Sequence, residues 1–136
     1  MKHSLLFILL FSPLASWAGN SCLSGARIPG SYLVDKGKGY QPSTLVIRKA
    51  IGNKSTFPFD LQAYWSLCQN DDGSWTSQAI YAGKMKVNGC TGTYYSEDDD
   101  CRFNFKLSTN TITVSHTGEC MFIGHNADPS GIYFKK

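Results

Sequence analysis

Chemistry-bearing motifs are what this chain has least of. It contains no phosphate loop, dinucleotide fingerprint, zinc spacing or calcium-loop spacing, so no cofactor and no metal is expected. No C-x-x-C pair occurs, which argues against a thioredoxin-type redox site. No serine stands in a glycine frame at a strand-turn-helix elbow, as a hydrolase nucleophile of that type requires. Charge is also sparse. Charged residues make up 17% of the 136 residues and the formal net charge is +3, too weak a bias for a nucleic-acid footprint. No apolar run reaches the roughly 18 residues that cross a bilayer as a helix. Heptads and low-complexity segments are absent, and no helical periodicity appears after the first residues.

What is present begins with an export pattern. Lys2 and His3 give a short basic start, Leu5 to Phe11 is an unbroken apolar stretch, Ser12-Pro13 breaks it, and Ser16-Trp17-Ala18 offers small residues to a signal peptidase. Residues 1–18 therefore read as a bacterial-style secretory signal, with cleavage after Ala18. Cys22 lacks the aliphatic box that precedes a lipidated cysteine, so no membrane anchor is expected. The remainder, 19–136, is long enough for one domain only. Its destination reads as periplasmic or secreted.

That domain reads as all-β. Phe57, Phe59, Leu61, Ala63 and Trp65 alternate with polar neighbours, as do Ala79, Tyr81, Gly83, Met85 and Val87. Cys101, Phe103, Phe105 and Leu107 repeat the pattern, and so do Ile112 and Val114. A period of two places one set inside and the other in water. Shorter strands fit Ser31–Val34, Ser43–Lys49, Gly92–Tyr95, Cys120–Ile123 and Gly131–Phe134. Asn70-Asp71-Asp72-Gly73, Asn88-Gly89 and Thr109-Asn110 are turn sequences between them. About eight strands joined in this way predict a small antiparallel meander barrel, calycin-like, or else a two-sheet sandwich. A glycine-x-tyrosine pattern recurs at Gly30, Gly92 and Gly131. There the glycine would relieve a bend and the tyrosine would plug a barrel end.

The chain has five cysteines, and export implies disulfides. If Thr109-Asn110 is a two-residue turn, Phe103 faces His116 and Cys101 faces Gly118. A bulge near Gly118 then joins Cys101 to Cys120. Cys68 and Cys90 are the second expected pair, which leaves Cys22 unpaired.

Candidate sites are few. His125, Asn126 and Asp128 share a polar loop before the last strand, which suits binding better than hydrolysis. His116 continues the inward row of Ile112 and Val114. Tyr40, Tyr64 and Trp75 are candidates for an exposed aromatic patch. In a meander the 70–73 and 97–100 turns leave the same end, forming an acidic rim, while Lys84, Lys86, Arg102 and Lys106 point out from one wall. Such a dipolar surface would steer a charged protein partner.

From Gly92 onward, the residues Gly92-x-Tyr94, Cys101-Arg-Phe-Asn-Phe, Gly118-Glu-Cys120-Met-Phe and Gly131-Ile-Tyr133-Phe-Lys135 resemble the C-terminal half of a loose group of small exported bacterial all-β proteins. The resemblance implies a barrel-like fold and the Cys101–Cys120 bridge, and it brings no catalytic residues. In size, export and disulfide use alone, the chain is also similar to periplasmic lysozyme inhibitors. The expected function is a non-catalytic protein-binding module of the cell envelope, such as a hydrolase inhibitor or toxin-immunity protein. The alternative is a carrier holding a small ligand inside the barrel. A carrier predicts a large interior cavity, against which Phe57, Phe59, Trp65, Tyr81, Phe103 and Phe105 argue by their bulk.

Overall fold

Alternation and turn chemistry together close this chain on itself. The computed structural model describes residues 21–35, 42–69, 75–120 and 128–136, with the side chains of 65–69 and 75–78 left aside. The strands are β1 (Gly30–Val34), β2 (Ser43–Ile47), β3 (Thr56–Gln69), β4 (Trp75–Asn88), β5 (Thr91–Ser96), β6 (Cys101–Leu107), β7 (Thr111–Gly118) and β8 (Gly131–Lys135). Each pairs antiparallel with the next, and β8 returns to pair with β1, giving a closed barrel in sequence order. The barrel expectation holds and the sandwich alternative falls. Closure satisfies the edges that a lone sheet would expose. The expected signal 1–18, the 70–73 turn, Tyr40 and most of the proposed Cys120–Ile123 strand lie outside the described residues.

Local sequence sets the register. Gly89-Cys90 forms the two-residue turn from β4 into β5, one position later than the expected Asn88-Gly89, because Asn88 stays in the ladder opposite Thr91; Gly89, at φ 59°, supplies the left-handed geometry the turn needs at its first position. Thr109-Asn110 turns β6 into β7, where the Ser108 N–H donates to the Thr111 carbonyl at 2.9 Å. That turn fixes Phe103 opposite His116 and Cys101 opposite Gly118, as expected from the sequence.

The inward rows meet as a filled interior. Phe57, Phe59, Leu61, Ala63, Ala79, Tyr81, Met85, Phe103, Phe105, Leu107, Ile112 and Val114 are all buried. The rings of Phe59 and Phe105 meet edge-on at 5.1 Å, and those of Tyr81 and Phe103 at 4.7 Å. Such pairs add about 0.5–1.5 kcal/mol beyond their buried area. Trp65, expected in this set, is among the side chains left aside.

The barrel has two unlike ends. At the end where β4 turns into β5, the segment before β1 folds under as a 3-10 turn, Gly25–Arg27. It buries Leu23 and Ile28 and plugs that end. At the other end, called here the loop end, β3 turns into β4, β5 into β6, and β7 leads to β8. The glycine-x-tyrosine pattern works as two staples. The Tyr32 hydroxyl donates to the Ile28 carbonyl at 2.6 Å near the plug, and the Tyr133 hydroxyl to the Pro129 carbonyl at 2.8 Å near the loop end. Each tyrosine grips the backbone four residues upstream, and both rings are buried.

One disulfide expectation holds and one is corrected. Cys101 and Cys120 are bridged, with Cα atoms 4.6 Å apart. Gly118 permits the bend: its φ is +89°, and a Cβ there would lie 1.8 Å from the Asp100 carbonyl oxygen. Cys90 bridges Cys22, not Cys68, at a Cα separation of 5.7 Å. The reason is topological. The β3–β4 ladder runs from Thr56 opposite Lys86 to Gln69 opposite Trp75, so Cys68 and Cys90 sit at opposite ends of a hairpin roughly 40 Å long. Cys22 lies beside Cys90 because the Leu23 N–H donates to the Ser108 carbonyl and the Leu107 N–H to the Cys90 carbonyl. Cys68 is therefore the odd cysteine.

β3 and β4 have 14 residues each, longer than their neighbours. β4 pairs with β5 only over Lys86–Asn88, and beyond that the two strands part. Tyr94 fills the opening. Its ring lies over Gly83, where a Cβ would come within 2.4 Å of it, and meets Phe59 edge-on at 5.3 Å.

Candidate functional surfaces

The barrel offers three kinds of surface, each built by alternation. The first is a polar junction at the loop end. His116 is the last inward-row residue of β7, half-buried beside Phe103 at a centroid distance of 6.0 Å. Its Nε2 lies 3.1 Å from Asp128 Oδ1. Asp128 also accepts the Ser130 N–H at 2.8 Å, which starts the turn into β8. Burial acts to raise the Asp128 pKa, but hydrogen bonds from Ser130 and the His116 ring outweigh it and hold the carboxyl below its ordinary value. Nearby, Ser43 is fully buried, and the Tyr64 N–H donates to its hydroxyl at 3.4 Å. The Tyr133 phenol is pushed well above its usual value by burial, with a smaller opposing effect of its hydrogen bond to Ser43. Such a phenol stays protonated and acts as a structural donor.

The second surface is the outer wall of β4–β6. Lys84, Lys86, Arg102 and Lys106 all point outward, as the alternation requires. Lys84, Lys86, Thr93, Tyr94, Tyr95, Arg102 and the acidic Glu97 line a depression of about 620 Å³ where β4 and β5 part. The Arg102 guanidinium lies over the Tyr95 ring at 5.4 Å. The Tyr95 hydroxyl donates to Asp100, which raises its pKa together with that carboxylate's negative charge.

The third surface lies on the opposite side of the barrel and is apolar. On β8, Ile132 and Phe134 flank the buried Tyr133 and face outward, 52% and 59% exposed. Phe134 sits opposite Leu33 on β1 and Thr111 on β7, and Ile132 sits opposite Thr113. Val46 on β2 adds a further exposed aliphatic side chain on this side. Two large side chains exposed to that degree, adjacent on one strand, are unusual on a solvated sheet face.

The sequence-derived sites fare unequally. Asp128 is placed at a junction, and its partner is His116. His125 and Asn126 lie outside the described residues. Tyr64 is half-buried on β3, and its hydroxyl donates to the Gln62 side chain at 3.0 Å. Trp75 opens β4 opposite Gln69, and its side chain is among those left aside. The acidic turn between β5 and β6 does lie at the loop end; within it, Ser96 donates to Asp99. Among the described residues, no cluster of histidine, cysteine or carboxylate groups has the form of a metal site. No described helix is long and apolar enough to cross a membrane. Reading the residues of β8 missed Ile132 and Phe134, although alternation about Tyr133 signals them. Comparison with protein-family models, with curated proteins and with solved structures finds no match for this chain.

Proposed function

We propose that this is an exported, non-catalytic module of the cell envelope that binds another protein, in the manner of a hydrolase inhibitor or a toxin-immunity protein. The observation that carries the reading is the outward pair Ile132 and Phe134 beside Leu33. It stands on a frame held by barrel closure and two disulfides. A rigid frame presents such side chains with little loss of freedom on binding, and buried aromatic anchors supply most of the energy of protein interfaces. The disulfides accord with an oxidising compartment. The opposite cationic wall would act at longer range, orienting an acidic partner before contact.

The carrier reading has less support, because the rings of Phe59, Tyr81, Phe103 and Phe105 occupy the space a ligand would need.

The test is a pull-down from periplasmic and secreted fractions with two baits, wild type and Phe134→Glu. A protein retained by the first and lost with the second is the expected result. Equal recovery of the same proteins on both baits, or recovery of none, counts against binding through this face.

A further inference from the structure

The described acidic residues of this barrel are sorted by end. Every described acidic residue except Asp60 lies at the loop end: Asp35, the Glu97–Asp100 turn, Glu119 and Asp128. Asp60 is on β3 and is paired with Arg48. The plugged end therefore carries no acidic side chain among the described residues. It carries Arg27, Lys49 and Lys54, all exposed. Lys135 is engaged there, donating to the Arg27 carbonyl and lying over the Tyr32 ring.

The same end has an apolar centre. The β2–β3 connection reads Lys49-Ala50-Ile51-Gly52-Asn53-Lys54. Its shape is fixed by the Ile51 N–H donating to the Thr56 carbonyl and by the Asn53 side chain accepting the Ser55 N–H. Ile51 is left 63% exposed, the most exposed large apolar side chain described. Beside it runs a groove of about 410 Å³ between this connection and the 3-10 turn, lined by Ala26, Pro29, Ala50 and Phe57, with Lys49 and Lys54 among its walls.

We propose that the plugged end docks reversibly on an anionic lipid bilayer, with Lys49, Lys54 and Arg27 against the headgroups and Ile51 entering the interface. Three features favour a bilayer over an acidic protein. The cations Arg27, Lys49 and Lys54 gather on one side of the plugged end, about the groove and Ile51, which suits a shallow contact with a plane. The described acidic residues other than Asp60 sit at the far end, so a negative plane would repel that end and leave the plugged end to face it. The exposed apolar side chain lies between lysines, the arrangement by which peripheral segments combine charge attraction with shallow insertion. This proposal is independent of the apolar face of β8, which would point sideways and stay accessible.

The experiment is co-sedimentation of the purified, disulfide-bonded protein with vesicles of mixed phosphatidylglycerol and phosphatidylcholine, and with phosphatidylcholine alone. Partition onto the anionic vesicles is expected to exceed that onto neutral ones by at least about tenfold and to collapse in about 0.5 M salt. Lys49→Glu/Lys54→Glu should lower partition by at least about tenfold, and Ile51→Ser by roughly threefold with the salt dependence kept. Lys84→Glu/Arg102→Glu, on the side wall, should leave more partition than the loop variant does. All four lysine and arginine positions are exposed, so unchanged unfolding midpoints and intact disulfides are the folding controls. Equal partition onto both vesicle types overturns the proposal. So does a loop variant that partitions like wild type, or a side-wall variant that loses as much. A dimer dispersed by the loop substitutions, with no vesicle binding, would assign this end to the acidic end of a second copy and overturn it as well.

Discussion

The two disulfides differ sharply in the length of chain they close, and this makes a quantitative expectation. Cys22–Cys90 spans 68 residues and Cys101–Cys120 spans 19. In the chain-entropy model, the first bridge stabilises by about 4.4 kcal/mol and the second by about 3.2 kcal/mol. The first also tethers the plug. If the plug detaches when the bridge is lost, the buried Leu23 and Ile28 side chains become exposed at about 2 kcal/mol each. Cys22→Ala/Cys90→Ala should therefore destabilise more than Cys101→Ala/Cys120→Ala, by about 1 kcal/mol at the least. The assay is urea unfolding at neutral pH, in a Cys68→Ala background so that no fifth thiol attacks the remaining bridge. A detached plug would also lower the urea dependence, because less surface remains to be exposed on unfolding. If the first pair of substitutions costs the same as the second or less, loop closure is not what these bridges contribute, and the reasoning fails.

Three further outcomes follow from the geometry. Gly118→Ala should cost at least about 2 kcal/mol in thermal or urea unfolding, because a side chain there meets the Asp100 carbonyl at a positive φ; a neutral result would show that the β5–β6 turn yields freely. Tyr133→Phe removes a buried hydroxyl bonded to Pro129 and should cost about 1–2 kcal/mol, measured the same way, with the loss absent if water replaces the bond. Asp128 has a depressed pKa, so its ionised form contributes stability above the unfolded carboxyl value of about 4, and that contribution is lost as pH falls through the lower folded value. Because the carboxylate is 63% exposed, the contribution is under about 1 kcal/mol. Melting points of wild type and Asp128→Asn should differ at pH 7 and converge in acid, and parallel curves would contradict the linkage.

Some of this was legible in the sequence and some was not, for reasons specific to each element. The Thr109-Asn110 turn is two residues long, so it dictates every pair from Leu107–Ile112 out to Cys101–Gly118, and hence one disulfide. The order of β4 to β7 was equally legible, because the short connections at 89–90, 97–100 and 108–110 leave each strand its neighbour to pair with. Cys22–Cys90 was not, since it depends on how the segment before β1 tucks under the barrel, a matter of end packing with no periodic signature. The failure of Cys68–Cys90 could have been seen: the two cysteines lie at opposite tips of the hairpin whose alternation was already plain. The His116–Asp128 contact depends on the path of the connection between β7 and β8, which local sequence does not fix. The outward face of β8 is set by alternation about Tyr133, but Ile132 and Phe134 form a patch only once β8 closes against Leu33 of β1, a pairing that residue order alone does not display.

The parting of β4 from β5 bears on how the barrel resists solvent. Along Tyr81–Met85 the outer flank of β4 has no ladder bond to β5, so its main-chain protons there are the ones to watch in deuterium exchange. The Tyr94 ring lies across that gap like a shutter, and the slowness of exchange behind it measures how seldom the shutter swings. A barrel sealed there by a ring instead of by amide pairing can breathe at that slit.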